Sequence, residues 1–225
     1  MRTKSMWLWI MGSVGVTAGV TWLLAERSPA SAADVPMQQS PATGPKAPMD
    51  RSRFWAIIDR TTALEADTDA QAAALRAELN NLTPADIEAF ESTFDQIMQE
   101  SYSWDLWGAT YLIHGGASDD GFEYFRVWLI SKGRTVYEAV LKDPDSLAER
   151  LAADSSGPLE FEEFAYVART AWEEKTGRDG AEMPTAAQMI YPNIEPAGQP
   201  FEEDSAHLSE RYPKLWKRFG NSPAQ

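Results

Sequence analysis

The chain has 225 residues, of which 44% are hydrophobic, enough for one well-buried domain with additional segments. Its formal net charge of −14 at pH 7 disfavours non-specific binding to the phosphate backbone of nucleic acids. Cysteine is absent, which excludes structural disulfides, thiol nucleophiles, iron–sulfur clusters and cysteine-ligated zinc. The short motifs of P-loop and dinucleotide-binding proteins, zinc proteases and serine hydrolases are absent too. We therefore predict neither a nucleic-acid partner nor a cofactor.

An apolar leader opens the chain. Two basic residues precede an apolar run of 20 residues from Met6 to Ala25, and Ala30-Ser31-Ala32 then matches a small-x-small cleavage site. Because the run is also long enough to cross a bilayer as a helix, residues 1–32 are predicted to be a signal peptide or a membrane anchor. Positive charge before the run predicts that the rest of the chain lies outside the cytoplasm. The alternative is a cytoplasmic protein that starts at Met49.

A proline-rich segment follows the leader. Residues 33–49 contain four prolines among Ala, Gln and Ser residues, a composition typical of an extended chain without a packed core. We predict a disordered tether here, which would link an anchored leader to the folded part of the protein.

From residue 50 onward the spacing of apolar residues is helical, and no stretch alternates for long enough to predict a strand. Steps of three and four predict a first helix around Phe54, a second around Leu75 and a long third helix after Thr83-Pro84, a good helix start. The apolar stripe of the third helix is formed by Ile87, Phe90, Phe94, Ile97, Met98 and Tyr102. This stripe leaves four acids mostly on the outer face of the helix: Glu88, Glu91, Asp95 and Glu100.

Two more helices are predicted on either side of the Gly115-Gly116 turn. The first runs from Trp104 to Ile113 and is apolar on more than one side, which indicates a central position. Ser118 or Asp119 then caps a helix that continues to Gly133.

The remaining pattern completes the domain. Apolar stripes predict helices over residues 136–141 and 161–172, so that an all-α, compact multi-helix domain extends over residues 50–176. Residues 177–225 lack sustained periodicity but contain too many apolar side chains for a solvated tail. We predict an irregular C-terminal extension packed on the domain.

Four runs of residues together resemble a known bacterial family. They read RFW at 53–55, WDLWGA at 104–109, GGASDD at 115–120 and FRVWLISKGR at 125–134. On these motifs, and over residues 50–175, the chain resembles the domain-of-unknown-function family 4240. The resemblance implies a mainly helical domain, and it implies no catalytic residues because the family has no established activity.

The densest group of aromatic and charged residues lies between Trp104 and Arg134. Aromatic rings offer wide contact surfaces, guanidinium groups can clamp carboxylates or phosphates, and carboxylates can bind cations. The predicted binding residues are Trp104, Asp105, Trp107, His114, Asp119, Asp120, Arg126, Trp128 and Arg134. Each also has a structural interpretation, as core aromatic, helix cap or internally paired charge.

Three functions remain open on the sequence alone. The leading hypothesis is a non-enzymatic module, exported or tethered to the membrane, that recognises an unknown protein or small ligand through this region. The alternative is a divalent-metal-dependent hydrolase that uses Asp105, Asp119, Asp120 and His114, which would require these four side chains to converge. The third is a structural scaffold, in which the aromatic residues are buried without any pocket.

Overall fold

The computed structural model describes residues 47–152, 158–184 and 195–220. The predicted leader at residues 1–32 lies outside these ranges, as does the predicted tether up to residue 46, and both stay predictions. Within the ranges described, no helix combines the length and the apolar character needed to cross a membrane.

Ten α-helices and no strand occur in the described part of the chain, which confirms the prediction of an all-α domain. Three short 3-10 helices connect them, at Thr62–Leu64, Pro144–Ser146 and Gly180–Glu182. The α-helices are α1 (Arg51–Asp59), α2 (Thr68–Leu79), α3 (Pro84–Glu100), α4 (Trp104–His114), α5 (Asp119–Ser131), α6 (Arg134–Lys142), α7 (Leu147–Arg150), α8 (Glu162–Thr176), α9 (Ser205–Arg211) and α10 (Pro213–Phe219).

The helices on either side of the glycine turn each begin at a serine cap, of which only the one for α5 was predicted from the sequence. The Ser103 hydroxyl accepts a hydrogen bond from a backbone N–H at the start of α4, and the Ser118 hydroxyl does the same at the start of α5. Ser118, rather than Asp119, is therefore the cap of α5. Gly115 ends α4 in the left-handed conformation, with φ 72°, which glycine adopts without steric cost.

The centre of the domain is built around α8, which packs against α2, α3 and α5. Trp172 of α8 is 1% exposed, and its indole N–H donates to Glu88 of α3 at 2.9 Å. Large side chains that are buried almost completely fill the rest of the core: Phe54, Trp55, Phe90, Phe122, Phe125, Tyr137 and Phe164. Such burial of aromatic and aliphatic surface is the main stabilising contribution in a domain of this size.

The C-terminal region is more regular than its sequence predicts, because it contains α9 and α10. Each of these helices has only seven residues, too few for an apolar stripe to be recognised. The start of α10 is held by a distant residue: the buried carboxylate of Asp145 accepts hydrogen bonds from the backbone N–H groups of Lys214 and Leu215, at 3.0 and 2.8 Å.

The last two helices close over α4. The Tyr212 hydroxyl donates to the backbone carbonyl of Asp105 at 2.9 Å, and Arg211 Nε donates to the Asp105 carboxylate at 2.8 Å. Gly108 of α4 makes this approach possible, since a Cβ atom at this position would lie 2.4 Å from Tyr212 Oη. The Tyr212 ring thus occupies the space that any larger residue at position 108 would need.

We predict that Asp145→Ala lowers the free energy of unfolding by about 2 kcal/mol, because two backbone donors at the start of α10 would lose their acceptor. Urea unfolding followed by circular dichroism measures this change. The control is Asp143→Ala, an exposed residue whose side chain makes no cap hydrogen bond at the neighbouring 3-10 helix. Equal losses in the two variants would contradict the capping role of Asp145.

Candidate binding cavity

The nine binding residues predicted from the sequence do not line a common cavity. Asp119 and Arg126 line a cavity of about 540 Å³, and His114 lines a separate, smaller one. Asp120 is exposed in the first turn of α5. The other five take part in packing or in ion pairs elsewhere: Trp104, Asp105, Trp107, Trp128 and Arg134.

The tryptophans of α4 form a stack that joins α4 to α5. The Trp104 and Trp107 rings lie 5.3 Å apart and nearly parallel, and Trp107 continues the stack onto Phe122 at 4.8 Å. The Trp107 indole N–H donates to the backbone carbonyl of Ala117 at 3.2 Å. The aromatic density that marks this part of the sequence is therefore explained by contacts between helices.

The charged residues predicted beside these rings are paired separately. Asp105 pairs with Arg211 of α9. Arg134 Nε donates to Glu138 one turn further along α6, at 2.7 Å. Lys132 places its ammonium group 5.2 Å from the centre of the Trp128 ring.

The four residues of the hydrolase hypothesis do not converge. His114 Nε2 accepts a hydrogen bond from the backbone N–H of Leu159 at 3.0 Å, and burial lowers the pKa of its imidazole. Asp119 and Asp120 are exposed in the first turn of α5, and Asp105 is held by Arg211. Among the described residues, no three His, Asp or Glu side chains are grouped so as to hold a metal ion.

A cavity of about 540 Å³ lies between α3, α5 and α8. Its walls combine apolar and aromatic side chains with both acids and arginines, a mixture typical of sites for small molecules. It is lined by Glu91, Phe94, Asp95, Met98, Gln99, Tyr102, Asp119, Glu123, Tyr124, Arg126, Val127, Ala165, Tyr166 and Arg169.

Glu91 is the buried charged residue of this cavity. Its side chain is 4% exposed, and its carboxylate accepts a hydrogen bond from Arg169 Nε at 2.9 Å. Burial raises the pKa of Glu91 to about 7, and the nearby Asp95 carboxylate adds to this increase. Arg169 opposes both effects without cancelling them. Glu91 therefore exchanges its proton near neutral pH.

Arg126 is fixed at one side of the cavity. Its Nη1 donates to the backbone carbonyl of Met98 at 2.8 Å, and its guanidinium carbon lies 4.9 Å from the centre of the Tyr102 ring and 5.0 Å from that of Phe122. The guanidinium is thus held by a hydrogen bond and by cation–π contacts on two rings.

Two tyrosines stand near the opening of the cavity. Tyr166 is 49% exposed, an unusual degree for a large ring in the part of the chain described. The Tyr124 hydroxyl donates to Glu162, and this hydrogen bond raises the pKa of the phenol to about 12. The Tyr124 ring therefore stays neutral at physiological pH.

The sequence prediction missed Glu91, Asp95 and Arg169 as candidate site residues. Glu91 and Asp95 were assigned to the outer face of α3, but both line the cavity, and Glu91 is almost completely buried. The signal was present in their spacing. Ile87, Glu91, Asp95, Met98 and Tyr102 follow one another at steps of four and three, so the two acids interrupt a continuous stripe.

A comparison with protein families identifies the domain that contains this cavity. Residues 49–174 match the model of the family described as Protein of unknown function (DUF4240). The chain belongs to this family. No curated protein and no solved structure matches the chain.

The cavity lies wholly within the DUF4240 domain, since its lining residues extend from Glu91 to Arg169. The helices α9 and α10, which cover α4, lie beyond the matched residues. The family membership confirms the resemblance found in the sequence and brings no activity with it, so the function must be inferred from the cavity itself.

We predict that the free energy of unfolding of Glu91→Gln, relative to that of wild type, increases by roughly 2 kcal/mol between pH 5 and pH 8. The raised pKa means that folded wild type binds a proton between about pH 4.5 and 7 that the unfolded chain releases. Its stability therefore falls with rising pH over this range, whereas a Gln side chain does not titrate. Urea unfolding at pH 5 and pH 8 measures the difference.

The control for this experiment is Glu163→Gln, an exposed position on α8 that does not line the cavity. This variant should follow wild type at both pH values. A pH-independent difference between wild type and Glu91→Gln would show that Glu91 does not carry a raised pKa.

Proposed function

We propose that the DUF4240 domain of this protein is a binding module and that it holds a small organic ligand in the cavity between α3, α5 and α8. The volume of about 540 Å³ is in the range of small-molecule sites, about 300–1,000 Å³. Two of the nine binding residues predicted in the region between Trp104 and Arg134 line this cavity, namely Asp119 and Arg126. The proposed site thus combines part of that region with residues of α3 and α8.

The observation that carries the proposal is the buried carboxylate of Glu91, paired with the partly exposed Arg169 in the cavity wall. Taking a carboxylate out of water costs several kcal/mol, as a rough figure, and well-packed apolar side chains would give α3 and α8 an equally stable contact. Ionisable groups that are buried beside a concave surface occur preferentially at functional sites. A ligand-binding role explains why these charges face a cavity.

A metal-dependent hydrolase is not proposed. The four side chains that it would need serve an ion pair, a backbone hydrogen bond and the exposed first turn of α5. Among the described residues, the lining of the cavity contains no group of three acids or histidines that could hold a metal ion.

We predict that compounds from a fragment library bind to the purified protein and that Gln99→Trp weakens this binding at least tenfold. Gln99 is exposed on α3 and lines the cavity, so an indole at this position would occupy the cavity without disturbing the core. Ligand-observed NMR detects the fragments, and titration gives their affinities.

The matched control is Gln96→Trp, since Gln96 is exposed on the same helix but does not line the cavity. Binding should be unchanged in this variant. A library without binders, or binders that are insensitive to Gln99→Trp, would refute the cavity as the binding site.

We also propose that the module works outside the cytoplasm. Residues 1–49 would either tether it to the membrane or be cleaved so that it is released. The basic start, the apolar run and the Ala30-Ser31-Ala32 site support this localisation.

For this localisation we predict that a C-terminally tagged product of the full gene is found in the membrane with its leader intact, or outside the cytoplasm with an N-terminus near Ala33. Cell fractionation and N-terminal sequencing of the product distinguish the two. A cytoplasmic product that starts at Met49 would contradict export.

A further inference from the structure

Acidic groups outnumber basic groups in the lining of the cavity. Four carboxylates line it, and they belong to Glu91, Asp95, Asp119 and Glu123. Two guanidinium groups line it as well, but each is already engaged: Arg169 with Glu91, and Arg126 with the Met98 carbonyl and two aromatic rings. The balance of formal charge in the cavity is therefore negative.

Two of these carboxylates lie one turn apart on α5. Asp119 and Glu123 are exposed, and neither has an ion pair with any residue in the described ranges. Asp119 is favoured by the helix dipole in the first turn of α5, but Glu123 lies beyond that turn. Like charges four residues apart repel each other, so this pair is left without a stabilising partner within the described protein.

The wall formed by α3 also carries two acids, and one of them is buried. Glu91 and Asp95 also lie one turn apart, on α3, and Glu91 is 3% exposed. This buried carboxylate is independent of the acids on α5 and belongs to the same cavity. Two pairs of acids, one on each of two helices, therefore share one concave surface.

Aromatic rings complete the lining near the acids. Tyr124 and Tyr166 line the cavity, and half of the Tyr166 side chain is open to solvent. The face of a neutral phenol ring attracts a positive group electrostatically, and ligands with quaternary or primary ammonium groups are commonly bound between such rings and carboxylates. An anionic ligand would instead meet both the acids and the negative faces of the rings.

We propose that the cavity selects organic cations, that is, ligands with an ammonium or guanidinium group on an apolar body, bound between the acids of α3 and α5 and the two tyrosine rings. This inference rests on the proposed binding function and names its ligand class. A divalent metal ion is the less suitable cation, because no three acids or histidines of the described chain are grouped to coordinate one. An apolar body on the ligand matches Phe94, Met98 and Val127 in the same lining.

The test compares three probes of nearly equal size, which are phenethylamine, the neutral 2-phenylethanol and the anionic phenylacetate. Amide chemical shifts of the purified protein are followed by NMR during titration with each. We expect phenethylamine to shift resonances of cavity residues and to bind at least tenfold more tightly than the other two. The variants Asp119→Asn and Glu123→Gln should weaken the binding of phenethylamine and leave that of 2-phenylethanol unchanged.

Asp120→Asn is the matched control, because Asp120 is an exposed acid in the same turn as Asp119 that does not line the cavity. It should bind phenethylamine as wild type does. Equal affinity for all three probes, preference for phenylacetate, or no cavity shift with phenethylamine would each overturn the inference. Fragments that bind in a manner sensitive to Gln99→Trp would then still support the binding module itself.

Discussion

Helix α8 lies against α3 through two polar contacts within an otherwise apolar interface. The Trp172 indole N–H donates to Glu88, and the guanidinium of Arg169 donates to Glu91, one turn closer to the start of α8. The first contact satisfies the polar atom of a completely buried ring, and the second closes one wall of the cavity. Both contacts fix how the two helices are placed along each other, while α1, α2 and α5 pack against one or both of them.

The same contacts explain how a cavity persists in a well-packed domain. Apolar walls would tend to collapse onto one another, since each buried contact gains dispersion energy and removes surface from water. Charged walls resist this collapse, because exposed carboxylates such as those of Asp119 and Glu123 would lose their hydration. Arg126 and Arg169 donate to the Met98 carbonyl and to Glu91, so two guanidinium groups and four acids share the lining.

The sequence predicted the helical architecture far better than the site, and the physical reason is the range of the interactions. Helix ends depend on neighbouring residues, so the Gly115 end of α4 and the Ser118 cap of α5 could be recognised locally. The cavity depends on residues that are distant in the chain: Glu91 and Arg169 are separated by 78 positions. From the spacing of apolar residues alone, the Glu91 side chain was predicted to face solvent. A broad buried face that includes a polar residue has the same sequence pattern as a narrow apolar stripe bordered by exposed polar residues.

The aromatic region around the glycine turn shows the opposite error. Its density suggested a ligand surface, but the stacked rings of Trp104 and Trp107 are used to join α4 to α5. Asp119 could be recognised as a candidate because any exposed acid next to a turn is available to a ligand. The residues of α3 and α8 that share its cavity could not be predicted, because tertiary packing brings them there. Equally, α10 was not predicted because Asp145, which caps it, precedes it by about 70 residues.

The close fit of Tyr212 over Gly108 also has a consequence for biosynthesis. Tyr212 reaches α4 across 107 residues and follows the matched family domain in the chain, so it leaves the ribosome after that domain. Until then the face of α4 that bears Gly108 lacks its cover. Nascent chains expose apolar surface of this kind to chaperones and to aggregation. The covering of α4 therefore has to wait until the chain beyond the family domain has been made.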